Sequence, residues 1–172
     1  NLLPAMLDYY RLCGMRKPEF MGWSQVELDK KVYARGWSPV KDTEFSLTEF
    51  GGELDRYLEA CENVKKTVSE VEKTIPAGKK DAFFSHIKYP VFSAAAMAVK
   101  MLEAQRARAI AAGNYNFTRW ERDHDLMVAS AKSMNAYQEI RRLTDFYNNE
   151  MSGGKWKHSM VHNPRDLYVF YA

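Results

Sequence analysis

One carboxylate and imidazole pair in the sequence has a spacing that occurs in metal sites. Glu121 and His124 show the Glu-x-x-His pattern, which places both side chains on one face of a helix. Di-iron bundle proteins hold their metals with two such pairs and two further glutamates. No other histidine of the sequence follows a glutamate by three residues. We therefore interpret His124 as a solvated histidine near the start of a helix.

The remaining histidines and acids also favour structural interpretations. His158 and His162 are four residues apart, which suits a metal only if the intervening chain is helical, and Pro164 argues against a helix there. Acidic pairs such as Glu59 with Glu62 lie beside an apolar stripe, whereas glycosidase chemistry needs two carboxyl groups that face each other. A phosphate-binding glycine loop and a Gly-x-Ser-x-Gly motif are both missing from the sequence. We predict no catalytic residue, no metal and no cofactor for this chain.

Composition indicates one ordinary globular domain. The chain has 172 residues, of which 46% are hydrophobic and 27% charged, and its net charge of +3 comes from 25 basic and 22 acidic residues. Such a balance does not favour nucleic acid, and no apolar run is long enough for a membrane span. A nucleic-acid binder is the weakest hypothesis; it would use arginines that are interleaved with acids and alanines, namely Arg106, Arg108, Arg141 and Arg142.

The two cysteines, Cys13 and Cys61, favour small buried thiols over a bridge.

Helical periodicity and helix-ending residues dominate the chain. They predict five helices, at Pro4 to about Cys13, about Ser24 to Ala34, Thr48 to Ile75, about Asp81 to Ala112, and Thr118 to about Met151. The third has an apolar stripe of residues three and four apart, from Phe50 to Ile75, and Pro76 ends it. Pro90 predicts a kink or a break in the fourth.

The fifth predicted helix begins with a capping box and carries two apolar stripes. Thr118 and Glu121 have the spacing in which a hydroxyl and a carboxylate satisfy free N–H groups reciprocally. The first stripe consists of Met127, Ala131 and Met134, and the second consists of Ala136, Ile140, Leu143 and Tyr147. Two adjacent stripes predict a wide buried face that packs against two neighbours.

Together these segments predict an all-α fold, an antiparallel helical bundle of about five helices over residues 1–154. Residues 155–172 are predicted to form an irregular or extended tail that leads toward a following domain, because Gly153-Gly154 and Pro164 oppose helix and residues 168–171 are aromatic and β-branched. Cut away from such a domain, the apolar tail makes self-association a further expectation.

Two loops are richer in aromatic and basic residues than a plain connection requires. Their residues that suit contact with another domain or with sugar are Arg16, Lys17, Phe20, Met21 and Trp23 in the first loop, and Lys155, Trp156 and His158 in the second. Flat aromatic rings beside cationic donors suit acidic sugars. They equally suit docking to a neighbouring domain, which is the interpretation that we favour.

The same loops and two helical segments resemble the helical region of the family 115 glycoside hydrolases, the xylan alpha-1,2-glucuronidases. The matching segments, spread in order over most of the chain, are 16–25, Asp81-Ala82-Phe83-Phe84 leading to Tyr89-Pro90-Val91, 97–106 with Lys100 and Gln105, and Gly153-Gly154-Lys155-Trp156. None of them is a catalytic signature. The family would have a methionine pair after the Lys-Trp loop, where this chain has Ser159-Met160.

The resemblance implies a multidomain, secreted or periplasmic enzyme that removes 4-O-methylglucuronic acid or glucuronic acid from xylan. It implies that an α/β domain and a barrel precede the helical bundle, that a β-sandwich follows it, and that the catalytic acids lie in the barrel. This chain is then an accessory domain whose partners are the neighbouring domains, with xylan-type polysaccharide as the substrate of the whole enzyme. The alternative is an independent helical module that binds a protein or ligand and has no enzymatic role.

Overall fold

The computed structural model describes residues 2–16, 42–113 and 118–161. Within these residues the chain forms α1 (Leu2–Met15), α2 (Glu53–Glu72), α3 (Lys80–Phe83), α4 (Tyr89–Ala111) and α5 (Arg119–Asn149). A π-helical turn, Phe84–Lys88, joins α3 to α4, and short 3-10 turns occupy Ala77–Lys79 and Met151–Gly154. The described part contains no strand, which confirms the all-α prediction. The helix predicted at Ser24–Ala34 lies outside the described residues.

Neighbouring helices pack antiparallel in the order α1, α2, α4, α5. At one end of the bundle, the Tyr57 hydroxyl near the start of α2 lies 3.4 Å from the Leu12 carbonyl near the end of α1. At the other end, Glu72 in the last turn of α2 pairs with Lys88 just before α4, at 2.7 Å. The Phe84 ring in the π turn packs edge-on against Phe146 near the end of α5, with centroids 4.6 Å apart. These contacts confirm the predicted antiparallel bundle.

The apolar stripe of α2 is buried, although the helix is shorter than the sequence predicts. Its inward residues are Leu54, Tyr57, Cys61, Val64 and Val68. Phe50 instead lies in a turn with a positive φ of 52° and is 71% exposed. Gly51 and Gly52 are also left-handed, so α2 begins only at Glu53. The helix ends at Glu72, and a turn carries the chain from there to Pro76.

Pro90 interrupts the long helical segment without breaking it. The N–H of Tyr89 donates to the carbonyl of Phe84, five residues earlier, which is the hydrogen bond of a π turn. Pro90 follows as the second residue of α4 and has no N–H to donate. In a regular α-helix the Pro90 ring would crowd the carbonyl of His86, four residues earlier. The predicted interruption therefore takes the form of a π turn.

Helix α5 starts at the predicted capping box, but only one of its two stripes is buried. The Thr118 hydroxyl accepts the Glu121 N–H, and the Glu121 carboxylate accepts the Thr118 N–H. Ala136 and Ile140 of the second stripe pack against α4. The first stripe, at Met127, Ala131 and Met134, is exposed, so the prediction of a face packed against two neighbours is wrong. Among the described residues α5 packs mainly on α4, and this stripe faces away from it.

Several polar side chains are buried along with the apolar core. They are Lys100, Glu103, Gln105 and Thr144, each at most 6% exposed. The Glu103 carboxylate binds Arg106 Nε at 3.1 Å and lies 3.5 Å from Lys132 Nζ. Lys100 places its Nζ 5.4 Å from the centre of the Tyr137 ring on α5. Burial lowers the pKa of the Lys100 ammonium to about 8.

Replacing Lys100 with methionine should stabilise the chain at neutral pH. At pH 7 the lysine is protonated in both the folded and unfolded states, so the folded state bears the whole cost of burying the charge. Between pH 8 and 10.5 the unfolded chain binds more protons than the folded chain, and the free energy of unfolding of the natural sequence therefore rises. We expect Lys100→Met to be more stable by about 1–3 kcal/mol at pH 7, with the gap closing toward pH 10.5.

Urea unfolding of both chains across this pH range measures the effect. The control is Lys66→Met, which changes an exposed lysine on α2 and should follow the natural pH profile. If the free energy of unfolding of Lys100→Met depends on pH in the same way as that of the natural sequence, burial of the Lys100 charge is not the source of the cost.

Candidate functional site

Arg16, which begins the first loop predicted to contact another domain or sugar, lies at the opposite end of the bundle from the second such loop. Arg16 follows the end of α1 and lies beside the start of α2, whereas Lys155 and Trp156 follow the end of α5. The intervening α4 is about 35 Å long at 1.5 Å per residue, so Arg16 cannot share one compact site with Lys155 and Trp156. Of the first loop the structure describes only Arg16, and Lys17, Phe20, Met21 and Trp23 lie outside the described residues.

Arg16 is used within the bundle. Its guanidinium Nη1 lies 2.6 Å from the Glu44 carboxylate, and its side chain is only 12% exposed. A backbone hydrogen bond at Glu44 and the Arg16 partner both lower the pKa of this carboxyl group. Arg16 therefore anchors the segment that enters α2, and it has little surface left for a partner.

Gln105 holds the segment around Thr43 and Phe45 against the end of α4. Its carboxamide oxygen accepts the Thr43 N–H at 2.8 Å and the Thr43 hydroxyl at 2.7 Å. The amide nitrogen donates to the carbonyls of Thr43 and Phe45, at 3.2 and 3.1 Å. One buried side chain thus satisfies four polar groups of a segment that has no regular structure.

Arginines next to Gln105 strengthen the same end of the bundle. Arg106 pairs with Asp55 on α2 and with Glu103, and Arg108 pairs with Asp42. Two of the four arginines that a nucleic-acid binder would use are therefore paired with acidic side chains of this chain. The arrangement is that of a structural joint between α4, α2 and the segment before α2.

The second predicted loop is a turn that its neighbours hold in place. Ser152 has a positive φ of 53°, and its N–H and hydroxyl both donate to one Asp81 carboxylate oxygen, each at 2.9 Å. Farther along, the Asn148 amide donates to the Met160 carbonyl at 2.7 Å, and its oxygen accepts the Met160 N–H at 3.0 Å. Met151 is buried at 2% exposure. Residues 151–160 are therefore held by Asp81 near their start and by Asn148 at their end, and the side chain of Met151 is buried in the core.

Gly154 explains the shape of this turn. Its φ is 78°, and a Cβ atom there would lie 3.1 Å from the Asn149 carbonyl oxygen. A side chain at this position would meet both backbone strain and a close contact. The Gly-Gly-Lys-Trp segment thus turns sharply off the end of α5 and places the next residues at the surface.

Trp156 and Lys155 form the exposed part of this turn. The indole is 41% exposed, and the Lys155 ammonium lies 5.1 Å from the ring centre. His158 is exposed as well and has a positive φ of 67°. The indole face lies beside a cation, on a turn that hydrogen bonds hold in place. Such a surface suits a flat apolar partner or a sugar ring with an acidic substituent.

Glu121 and His124 both interact with neighbouring residues at the start of α5. Hydrogen bonds from Thr118 engage the Glu121 carboxylate and lower its pKa. The His124 ring stacks on Trp120, with centroids 5.4 Å apart, and its Nδ1 lies 3.0 Å from Asp125. In the described part of the chain no three metal-ligating side chains cluster, and His162 lies outside that part. No helix within it has the length and apolar character needed to cross a membrane.

Comparison with known proteins gives one informative match. The chain aligns over 98% of its length with a solved structure, that of a family GH115 4-O-methyl-alpha-glucuronidase, BtGH115A, with specificity for decorated arabinogalactans. The TM-score is 0.73 and the sequence identity 34%. No protein-family model matches the chain, and no curated protein matches it significantly.

The predicted resemblance to family 115 is confirmed. The chain spans 19% of the BtGH115A chain, so the similarity is to one region of a much larger enzyme. Three of the segments that carry the resemblance in sequence have structural roles in the described part of the chain. Residues 97–106 contain Lys100 and Gln105, Asp81 holds Ser152, and the Gly-Gly-Lys-Trp segment forms the fixed turn.

The sequence singled out Gln105 only as part of this resemblance to family 115, and Asp81 also as the approximate start of a predicted helix. Their bonding roles have no periodic signal, because each binds residues about 60 or 70 positions away in the chain. Nothing in the sequence indicates that Asn148 binds the backbone of Met160. By contrast, a glycine pair at a helix end indicated the sharp turn before Trp156 correctly.

Replacing Gln105 with alanine should loosen residues 42–45. The four groups that the carboxamide satisfies would lose their partner, at a cost of about 1–3 kcal/mol. We expect hydrogen exchange of the Thr43 N–H to speed up by about tenfold or more, while exchange in the middle of α5 stays unchanged. Gln105→Glu is the matched variant, since it retains the acceptor for Thr43 but loses both donors, and it should show an intermediate rate. Equal protection of Thr43 in all three chains would show that Gln105 does not hold the segment.

Proposed function

We propose that this chain is a helical accessory domain of a multidomain glycoside hydrolase that removes 4-O-methylglucuronic acid or glucuronic acid from a polysaccharide. The similarity to BtGH115A over nearly the whole chain carries the proposal, together with its restriction to about a fifth of that enzyme. The role of the domain is to support the arrangement of the neighbouring domains, and the catalytic acids are supplied elsewhere in the parent enzyme.

The use of acidic side chains in the structure supports an accessory role. Glu103 is buried between Arg106 and Lys132, and Glu121 caps α5. Glu72 and Glu139 pair with lysines across helix interfaces. Each of these carboxylates interacts with cations or N–H groups. Hydrolysis of a glycosidic bond instead requires two carboxyl groups that face each other across a sugar.

The polysaccharide of the parent enzyme is a separate part of the proposal. The sequence resemblance implies xylan, whereas BtGH115A has specificity for decorated arabinogalactans. Removal of a 4-O-methylglucuronic acid substituent is common to both. We propose xylan as the backbone, and comparison of uronic acid release from glucuronoxylan and from arabinogalactan by the parent enzyme tests this choice.

The isolated chain should release no uronic acid from either polysaccharide. Purified chain incubated with glucuronoxylan or arabinogalactan, followed by chromatography of the products, measures this directly. Release above the level of a boiled sample would place catalytic groups within the chain and would overturn the accessory role.

Trp156 is the residue whose loss should damage the parent enzyme most clearly. We propose that its indole and the Lys155 ammonium dock against a neighbouring domain, because the turn is rigid and presents the ring at the surface. Trp156→Ala should lower activity or the stability of domain assembly by about 2 kcal/mol, the loss expected for an aromatic anchor at an interface.

The matched control is Trp120→Ala, which removes an indole that is 74% exposed at the opposite end of α5. Uronic acid release and thermal melting of the parent enzyme report both variants. If Trp156→Ala leaves activity and melting like those of the Trp120 control, the turn is a simple connection.

A further inference from the structure

Two thiols line one cavity between α1, α2 and α4. Cys13 lies in the last turns of α1, and Cys61 lies in the third turn of α2. The cavity is small, with a volume of about 20 Å³, and its other walls include Leu12, Tyr57, Val64 and Ala95. Neither cysteine takes part in a disulfide in this structure. The sequence alone favoured separate buried thiols, whereas the fold brings them to a common space.

Contacts around the cavity bring the two helices together where the cysteines lie. Tyr57 reaches the Leu12 carbonyl through its hydroxyl, at 3.4 Å, and Cys13 is the next residue along α1. Cys61 is four residues after Tyr57, so it shares the face of α2 that meets α1. Small residues on α4, Ala94 and Ala95, form the opposite wall of the cavity that both cysteines line.

The two thiols differ in accessibility. Cys61 is 6% exposed, whereas Cys13 is half-buried. Burial and, to a lesser extent, the neighbouring Cys13 raise the pKa of the Cys61 thiol to about 12. Cys13 is therefore the thiol that reacts first, and Cys61 is the one that resolves the intermediate.

We propose that Cys13 and Cys61 form a reversible disulfide that joins the end of α1 to α2. This inference is independent of the proposed function, since it rests on the cavity alone. The bond would close the chain from residue 13 to residue 61, which includes the start of the first predicted contact loop at Arg16. It would thereby fix the base of that loop against the bundle.

A small disulfide such as oxidised glutathione is the oxidant. The Cys13 thiol loses its proton, and its thiolate attacks one sulfur of the oxidant and displaces one glutathione thiolate, which leaves a mixed disulfide on Cys13. The Cys61 thiol then loses its proton, attacks the Cys13 sulfur and displaces the second glutathione thiolate. In total the two cysteines give up two electrons and two protons, and one oxidised glutathione becomes two reduced molecules.

The test is equilibration of the full chain in glutathione buffers from reducing to oxidising, followed by denaturation, alkylation and mass spectrometry. We expect the oxidised chain to lose about two mass units, to resist alkylation at both cysteines and to yield a linked peptide pair. Its melting temperature should rise by roughly 10 °C relative to the reduced chain, because the bond closes a long loop in the unfolded state.

Cys13→Ser is the informative variant, since its half-buried position tolerates the change. It should abolish the rise in melting temperature and leave Cys61 free to alkylation after unfolding. Cys61→Ala should stop the reaction at a glutathione adduct on Cys13. The proposal is overturned if oxidising buffer leaves both thiols of the natural chain open to alkylation, if it yields only the Cys13 adduct, or if it links separate chains.

Discussion

Helix α4 packs against neighbours on two sides, and the rest of the bundle depends on this position. Its alanines, among them Ala95, Ala96 and Ala98, allow α2 and α5 to approach closely on different faces. Small side chains at a helix interface shorten the distance between axes and increase van der Waals contact. Leu102, which is fully buried, fills the space on the α2 side.

Gln105 of α4, together with the segment that precedes α4, extends this constraint to both ends of the bundle. Gln105 fixes the irregular segment before α2, and the π turn before α4 brings Phe84 against the end of α5. Asp81, in α3, holds the turn that carries Trp156. The turn that carries Trp156 is therefore positioned by the segment that leads into α4. Such an arrangement suits a domain whose task is to hold neighbouring domains in place.

Much of the fold could be predicted because helix signals are local. The stripe on α2, the capping box at Thr118 and the glycine pair after α5 each depend on residues within a few turns of one another. The exposed face at Met127 was mispredicted for a physical reason. Periodicity shows which residues are apolar and share a face, but it does not show how many helices are present to cover that face.

The candidate sites were harder to predict, because they depend on contacts between distant parts of the chain. Sequence composition gave Arg16 and Trp156 equal standing, yet folding pairs Arg16 with Glu44 and leaves Trp156 at the surface. The shared cavity of Cys13 and Cys61 likewise follows from helix packing and from nothing in their spacing.

The most direct test of the central claim is the size of the native polypeptide that carries this sequence. An antibody raised against the chain, followed by mass spectrometry of the intact protein that it captures, measures that size. An accessory domain of a family 115 enzyme predicts a polypeptide about five times as long as this chain, since the chain spans 19% of BtGH115A. A native polypeptide no longer than these 172 residues would contradict the account.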